Sequence, residues 1–407
     1  MRILLYSISY HPEPSGIGPY SAGLAETLAG MGHDVHVIAA NPSYPYWKRF
    51  AGYPALGWTR RSEGGVTVHR CPVYVPGKVT GATRILHYLS YAAAALFPSV
   101  KLAIGFRPQA VLHVVPTLVA SPLVLAVAKL SGAKSWLHVQ DFEVEAAFAT
   151  GQMAGGGRLA RLALAFERAC IRGYDRTSSI SLEMCRKLVE KGQSAETVHE
   201  LRNWAELGAV QPHADSDYRA RWAVTTPHVA LYSGSIARKQ GIDIILDAAR
   251  RLAGRPDLTF VICGDGPERA ELERLASGMA NVQIHGLQPK EQLGDLLNLA
   301  TVHLLPQKAD AADLVLPSKL TNMLASGRPV VATAAPGTGL AREVEGAGLV
   351  TPPGDIEAFA GAIARLVDDE AERKALGIAA RARAEQVWDR DNILQAFEHS
   401  LRRAVGA

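Results

Sequence analysis

Cysteine is scarce in this chain of 407 residues: Cys71, Cys170, Cys185 and Cys263 stand far apart and form no C-x-x-C pair. That spacing argues against a disulfide framework and a zinc cluster, and it fits a reducing cytoplasm. A long apolar run is missing at the amino end. Ile3-Leu4-Leu5 follows Met1-Arg2 and stops at Ser7, too short for a signal-peptide core or a bilayer span, so folding is expected from the first residue. There is no G-x-x-x-x-G-K-[ST], no G-x-S-x-G and no H-E-x-x-H, which removes the usual P-loop NTPases, α/β-hydrolases and zincins. Close internal repeats and low-complexity tracts are also lacking.

What is present is an ordinary globular composition, 48% hydrophobic and 20% charged, at a length that suits two domains. The net charge of +4 is unevenly spread. Residues 1–140 hold 12 Lys/Arg against 4 Asp/Glu, a surplus of +8, which leaves the rest of the chain at −4. A basic half reads as affinity for phosphate-rich ligands, nucleic acid or an anionic membrane, with plain solubility as the alternative.

Apolar runs and turn residues set the elements. Strands are expected at Arg2–Ser7, Asp34–Ala40, Val66–Arg70, Ala110–Val115, Ser135–Val139 and Thr177–Ser181, with a first helix over Tyr20–Met31. From about Leu207 to Thr226 the chain turns polar and loses periodicity, as a linker would. A second series follows, with strands at Val229–Ser233, Leu258–Cys263, Val282–His285, Val302–Leu305 and Val330–Thr333. Helices alternate with them at Ile242–Leu252, Lys290–Leu297 and Ser318–Ala325. The pattern predicts an α/β chain of two doubly wound domains, 1–208 and 209–390, with a last helix over 391–405 crossing back to the first.

Several turns could hold an anion. Gly16 and Gly18 lie between the first strand and helix, where backbone amides and the helix dipole converge. This is no dinucleotide fingerprint, because Ser21 replaces the third glycine and the second strand ends without an acid to grip a ribose, so no nicotinamide cofactor is expected. Gly234-Ser235 with Lys239, the Gly264-Asp265-Gly266-Pro267 turn, and Pro317-Ser318-Lys319-Leu320 recur at strand and helix junctions of the second half. In the last of these Ser318 is expected to cap a helix and Lys319 to add a point charge. Each has a plain reading as a turn or a solvated lysine. In the first half, His138, Asp141 and Glu143 bring an imidazole and two carboxylates to one strand end, suited to general-base work or charge stabilisation. His113 reads as a buried, satisfied histidine.

The first loop, the K-x-G element at Lys239, the G-D-G-P turn, Ile284-His285-Gly286-Leu287 and the stretch PSKLTNMLASGRPVV together resemble family-4 glycosyltransferases of the GT-B fold. Within that family the chain looks most like the fucosyltransferase-like group of colanic-acid and exopolysaccharide biosynthesis, through WLHVQDFEVEAAF and VLPSKLTNMLASGRPVVAT. The resemblance implies two Rossmann-like domains with a cleft between them. It further implies a GDP- or UDP-linked sugar donor as co-substrate, no other cofactor, and a retaining, metal-independent transfer. Carried over, Lys239 contacts the donor diphosphate, Gly286 and Leu287 meet the base through backbone, and Ser318, Lys319 and Leu320 present amides to phosphate. Ser235 stands where the family often has arginine, and Leu314 and Asn322 stand where it has paired glutamates. Asn322 is counted with the donor residues. The family's catalytic-side histidine falls on or near Asp141, with His138 three residues earlier. Asp215-x-Asp217, similar to the D-x-D clamp of a different glycosyltransferase fold, lies in the expected linker and reads as solvated.

Ile85–Phe97 is strongly apolar and flanked by Lys78, Arg84, Lys101 and Arg107, so it is either a membrane-docking segment or a core helix. A polyprenyl-diphosphate-linked or other saccharide acceptor at the cytoplasmic face of the inner membrane would suit the former. No nucleic-acid partner is expected. Two rival functions remain at this point: a nucleotide-sugar epimerase of the same architecture, and a non-catalytic sugar-nucleotide-binding subunit.

Overall fold

The first half of the chain forms eight strands in the computed structural model, which describes residues 1–143, 157–213, 215–237, 240–308 and 317–406. They are β1 (Arg2–Ser7), β2 (Asp34–Ala40), β3 (Thr59–Glu63), β4 (Val66–Cys71), β5 (Ala110–Val115), β6 (Lys134–Val139), β7 (Arg176–Ser179) and β8 (Val198–Glu200). Their order is β3-β4-β2-β1-β5-β6-β7-β8, and every pairing except β3 with β4 is parallel. Strand β5 is buried along its whole length, as a central parallel strand covered on both faces must be. The strand expected to reach Ser181 stops at Ser179, because Ser181 turns away to cap helix Leu182–Glu190, its hydroxyl accepting from the Met184 amide. Strand β3 went unread since its polar sequence lies at a sheet edge.

The second sheet holds β9 (His228–Ser233), β10 (Leu258–Cys263), β11 (Val282–His285), β12 (Val302–Leu305), β13 (Val330–Thr333) and β14 (Gly348–Thr351). All run parallel in the order β11-β10-β9-β12-β13-β14. Successive residues face opposite ways, so each strand feeds two cores. Ala230, Tyr232, Phe260 and Ile262 pack with Ile245 and Phe359 from helices Asp243–Arg251 and Ile356–Asp368. Val229, Leu231, Val261 and Cys263 pack instead with Tyr218 and Leu296.

Tyr218 belongs to the stretch expected to be a linker, and its burial corrects that reading. The chain divides into Met1–Arg202 with Leu394–Ala407, and Asn203–Ile393, rather than at residue 208. The polar segment is stitched to the second unit: Ala205 donates to the Trp388 carbonyl at 2.9 Å, and Ser216, Tyr218 and Val224 are buried. Its polarity comes from turns around these anchors. Asp215 and Asp217 are exposed, as solvated residues would be.

Helix Arg390–Val405 enters the core of the first unit with Phe397, whose ring lies 5.0 Å from that of Trp136. Beside it the Glu398 carboxylate takes a hydrogen bond from the buried His33 ring at 2.9 Å and pairs with Arg402. These partners hold the carboxyl below its ordinary range although burial opposes them. Glu398→Ala therefore leaves His33 without its partner and is expected to cost about 2–3 kcal/mol, read as a lower urea midpoint at unchanged slope.

Helix Gly81–Gly105 begins with a reciprocal cap in which Thr80 Oγ1 accepts from the Thr83 amide and Thr83 Oγ1 accepts from the Thr80 amide. One face is core: the Tyr91 hydroxyl donates to the Ile38 carbonyl, and Ser99 accepts from Tyr6. The other face leaves Ile85, Leu86, Leu89, Leu96, Phe97, Val100 and Ile104 exposed, a single stripe at helical spacing. The core-helix reading holds for one face, and the other is apolar and exposed.

Candidate functional site

In a doubly wound sheet the ligand-binding edge lies at the carboxyl ends of the strands, where the chain switches direction of travel across the sheet. In the second unit that switch falls between β9 and β12. Beyond β9 the chain turns at Gly234, beyond β10 at Gly264, and the two turns touch. A Cβ on Gly264 would sit 1.8 Å from the Gly234 carbonyl oxygen, so no side chain fits there. The edge is therefore bare backbone.

Onto this backbone comes one ammonium. Lys319 Nζ lies 4.2 Å from the Tyr232 ring centroid, donates to the Tyr232 hydroxyl at 2.8 Å and to Gln240 Oε1 at 2.9 Å, and sits against the Gly234 turn. The Tyr232 hydroxyl in turn donates to the Ser235 carbonyl at 2.7 Å. Burial raises the Tyr232 phenol, so it stays protonated and serves as a fixed seat for the cation. Neither Tyr232 nor Gln240 was read from the sequence; the Lys319 side chain crosses to residues about 80 to 90 positions away, and no local pattern records that.

The expected roles of Ser318, Leu320 and Asn322 need correction. Ser318 forms no side-chain cap, and the Leu320 amide is already spent on the Pro317 carbonyl at 3.0 Å, with Leu320 itself buried. Asn322 turns away from this edge, its Oδ1 accepting from the Glu206 amide at 2.8 Å, which ties down the incoming segment. The Gly286 carbonyl accepts from Gln288, and the Leu287 side chain is exposed. Arg269, also unforeseen, links the turns by donating to the Gly264 carbonyl at 3.2 Å. Lys239 and Leu314 lie outside the described residues.

In the first unit the switch falls between β1 and β5. Beyond β1, Gly16 adopts a left-handed φ of 68°, which glycine takes without strain. Gly18 begins helix Gly18–Gly30, and Glu13 between them and β1 is buried, accepting from the Ser43 and Tyr44 amides at 2.8 and 2.9 Å. Beyond β5, Thr117 has a φ of 151°, and its amide and that of Leu118 both donate to the Glu143 carboxylate. Burial outweighs these donors and pushes the Glu143 carboxyl up to about 7.

His138 does not join this edge. It is buried within β6, its Nδ1 bonded to Ser178 Oγ at 3.0 Å and its Nε2 to the Gln140 amide nitrogen at 3.0 Å, and burial drives it down to about 3. A neutral ring with both nitrogens engaged is a positioning element, not a proton carrier at neutral pH. His113 is likewise buried, against Tyr174, as its sequence reading held. Asp141 stays at the strand end just before two pinned residues, since Phe142 is buried beneath Lys187 and Lys191 and Glu143 is held by its amides. Tyr88 from helix Gly81–Gly105 faces the same place: burial raises its phenol, and the Glu143 and Asp141 charges add to the effect while Arg84 opposes it.

A carboxyl raised in the folded state favours folding fully below its unfolded pKa and loses that contribution as pH rises through the folded value. Glu143→Gln keeps an oxygen acceptor and removes the titration. Its stability relative to wild type is therefore expected to rise by on the order of 3 kcal/mol between about pH 5 and pH 8, measured as the change in the gap between urea midpoints.

Comparison with known proteins agrees with this construction. Residues 15–204 match the family model described as "Glycosyl transferase 4-like domain" and residues 227–369 that described as "Glycosyl transferases group 1". The chain is 41% identical over 419 aligned positions to the "Putative colanic acid biosynthesis glycosyl transferase WcaI" of Escherichia coli K12, covering 99% of this chain and 100% of that protein. It is 29% identical to the amylovoran biosynthesis glycosyltransferase AmsK of Erwinia amylovora over 49% of each chain. Sucrose-phosphate synthase from Thermosynechococcus elongatus has the same fold at a TM-score of 0.76 and 21% identity, covering 99% of this chain and 98% of its own. Anabaena Alr3699/HepE, solved with UDP and glucose, follows at 0.72 and 18%, covering 99% of this chain and 100% of its own. With two Rossmann-like parallel sheets and a full-length relative at this identity, the chain belongs to the family-4 glycosyltransferases of the GT-B fold.

Proposed function

We propose that this glycosyltransferase moves a sugar, with retention of anomeric configuration and without a metal ion, from a nucleotide-sugar donor to a lipid-linked saccharide in exopolysaccharide synthesis. The observation that carries the reading is Lys319, seated on Tyr232 against the bare Gly234 turn. Breaking the bond from the anomeric carbon to the diphosphate oxygen leaves negative charge on the diphosphate. An ammonium and backbone amides fixed beforehand meet that charge without reorganising. The acceptor hydroxyl oxygen bonds to the anomeric carbon on the face the diphosphate leaves, and its proton passes to a departing phosphate oxygen. Asp141 and Glu143 orient the acceptor. The full-length likeness to a protein named for colanic acid biosynthesis supports the polysaccharide role, and UDP in the HepE structure supports a nucleotide donor. An epimerase or a pure binding subunit has no comparable observation in its favour.

Helix Gly81–Gly105 supports a lipid-borne acceptor at a membrane face. It is long and apolar enough to span a bilayer by length and composition, yet its Tyr91 and Ser99 face is bonded into the core. Its free apolar stripe suits lying on the cytoplasmic face of the inner membrane as a peripheral contact, while Tyr88 on the same helix reaches Asp141 and Glu143. The acceptor's reacting end and its lipid are thus served by one helix.

Purified protein given nucleotide-sugar donors and membrane extract is expected to transfer sugar in the presence of EDTA. Lys319→Ala should lose about 2–3 kcal/mol in kcat/KM. Donor bound but never turned over, or turnover lost to chelator and restored by magnesium, overturns the reading. For the membrane contact, wild type should sediment with phosphatidylglycerol vesicles at low salt and be partly released at high salt. The Leu86→Asp, Leu89→Asp protein, shown folded by circular dichroism, should lose the salt-resistant remainder.

A further inference from the structure

The opposite edge of the second sheet, where its strands begin, carries a feature that sugar transfer does not use. His228 opens β9, Thr301 precedes β12, and Arg328 precedes β13; together they border an open cavity of about 690 Å³. Arg219, Arg373, Arg381 and Lys374 complete its basic wall. The cavity is of the size that encloses small organic ligands and is far larger than a lone inorganic ion needs. Pro212, Pro329 and the exposed Ile378 give it an apolar side.

All four guanidinium groups are held by carbonyl oxygens, Arg381 donating to Val210 and Ala325 at 2.7 Å each. Arg219 donates to Thr226 and Pro227 at 2.7 and 2.8 Å, Arg373 to Leu366 and Val367 at 2.7 and 2.9 Å, and Arg328 to His213 at 2.9 Å. Two of the wall cations are already matched, Arg381 by Glu385, which also lines the cavity, and Lys374 by Glu370, while Asp257 and Asp368 pair with Arg255 outside the wall. Among the described residues, no carboxylate pairs with Arg219, Arg328 or Arg373. The Nε of Arg328 is buried with no hydrogen-bond partner. Its guanidinium is pushed below the ordinary arginine range by burial, then by the like charges of Arg373 and Arg219. The arrangement is rigid, since Gly377 packs helix Glu370–Val387 so closely on the Gly327 turn that a Cβ would stand 2.4 Å from the Gly327 carbonyl oxygen. Mutually repelling cations fixed around a concavity lower the stability of the empty protein, and an anion bound among them recovers it.

We propose that this cavity is a second binding site, at the sheet edge opposite Lys319, for a soluble small molecule bearing two or more phosphate groups. Guanidinium forks match phosphate oxygens two at a time, and three of them exceed what a single carboxylate can satisfy. The apolar side takes the remainder of the ligand.

Sodium tripolyphosphate is the probe, added to the full chain at fixed ionic strength, with hydrogen exchange locating its contacts and calorimetry its affinity. It should slow exchange in residues 327–331 and 370–382. Arg373→Gln and, separately, Arg219→Gln should each weaken that binding about tenfold, whereas Lys319→Gln leaves the protection of these segments unchanged. The wild-type exchange map decides the matter even where a variant fails to fold. Protection confined to residues 232–241 and 264–269, affinity indifferent to the two arginine substitutions in folded protein, or protection by phosphatidylglycerol vesicles without protection by tripolyphosphate overturns the proposal.

Discussion

A strand that pairs in parallel with its neighbour cannot return through a two-residue hairpin; the chain has to leave the sheet, cross it as a helix and re-enter at the starting edge. With all six strands of the second unit and seven of the first running this way, every strand in each run ends at one edge of its sheet. Turn backbone collects there by necessity. The sequence adds few side chains to it: the Lys319 ammonium on the second sheet, and Glu143 with Asp141 on the first.

The two edges solve different electrostatic problems. Around Gly234 the backbone is brought so close that side chains are excluded, and the Lys319 ammonium is supported on an aromatic face and two hydrogen bonds. That combination limits the motion of the charge. Around Thr117 the situation is reversed, because a carboxyl group is carried into a poorly solvated place and only partly compensated by two amides. Such a group sits near its titration point at neutral pH and can accept or release a proton at small cost.

Buried polar groups elsewhere are positioning devices. His138 holds Gln140 and Ser178 in line, Asn322 ties the Glu206 amide, and Glu398 fixes the last helix to His33. Each pairs with a residue far away in sequence or inside a sheet, so a reading of neighbouring residues takes the same side chain for a site. His138 is the plainest case: its neighbours suggested a proton carrier, whereas alternation along β6 points it inward.

Periodicity alone determined the two α/β units, because fully buried parallel strands are continuous apolar runs bounded by turn residues. β1, β2, β5, β10, β11, β12 and β13 fall on the expected residues. Polar edge strands such as β3 carry no such signal, and the stretch around Tyr218 was misread because one buried aromatic among polar turns leaves no period. Around Gly234, the glycine turns and Lys319 were legible through local spacing and family likeness. Tertiary structure decided the rest: that Lys319 rests on Tyr232 and Gln240, that the Leu320 amide is already used, and that Asn322 faces the Glu206 segment. The physical reason is range, since backbone propensity acts over a few residues while the Lys319 and Asn322 contacts span 79 to 116 residues and exist only once the second sheet has formed.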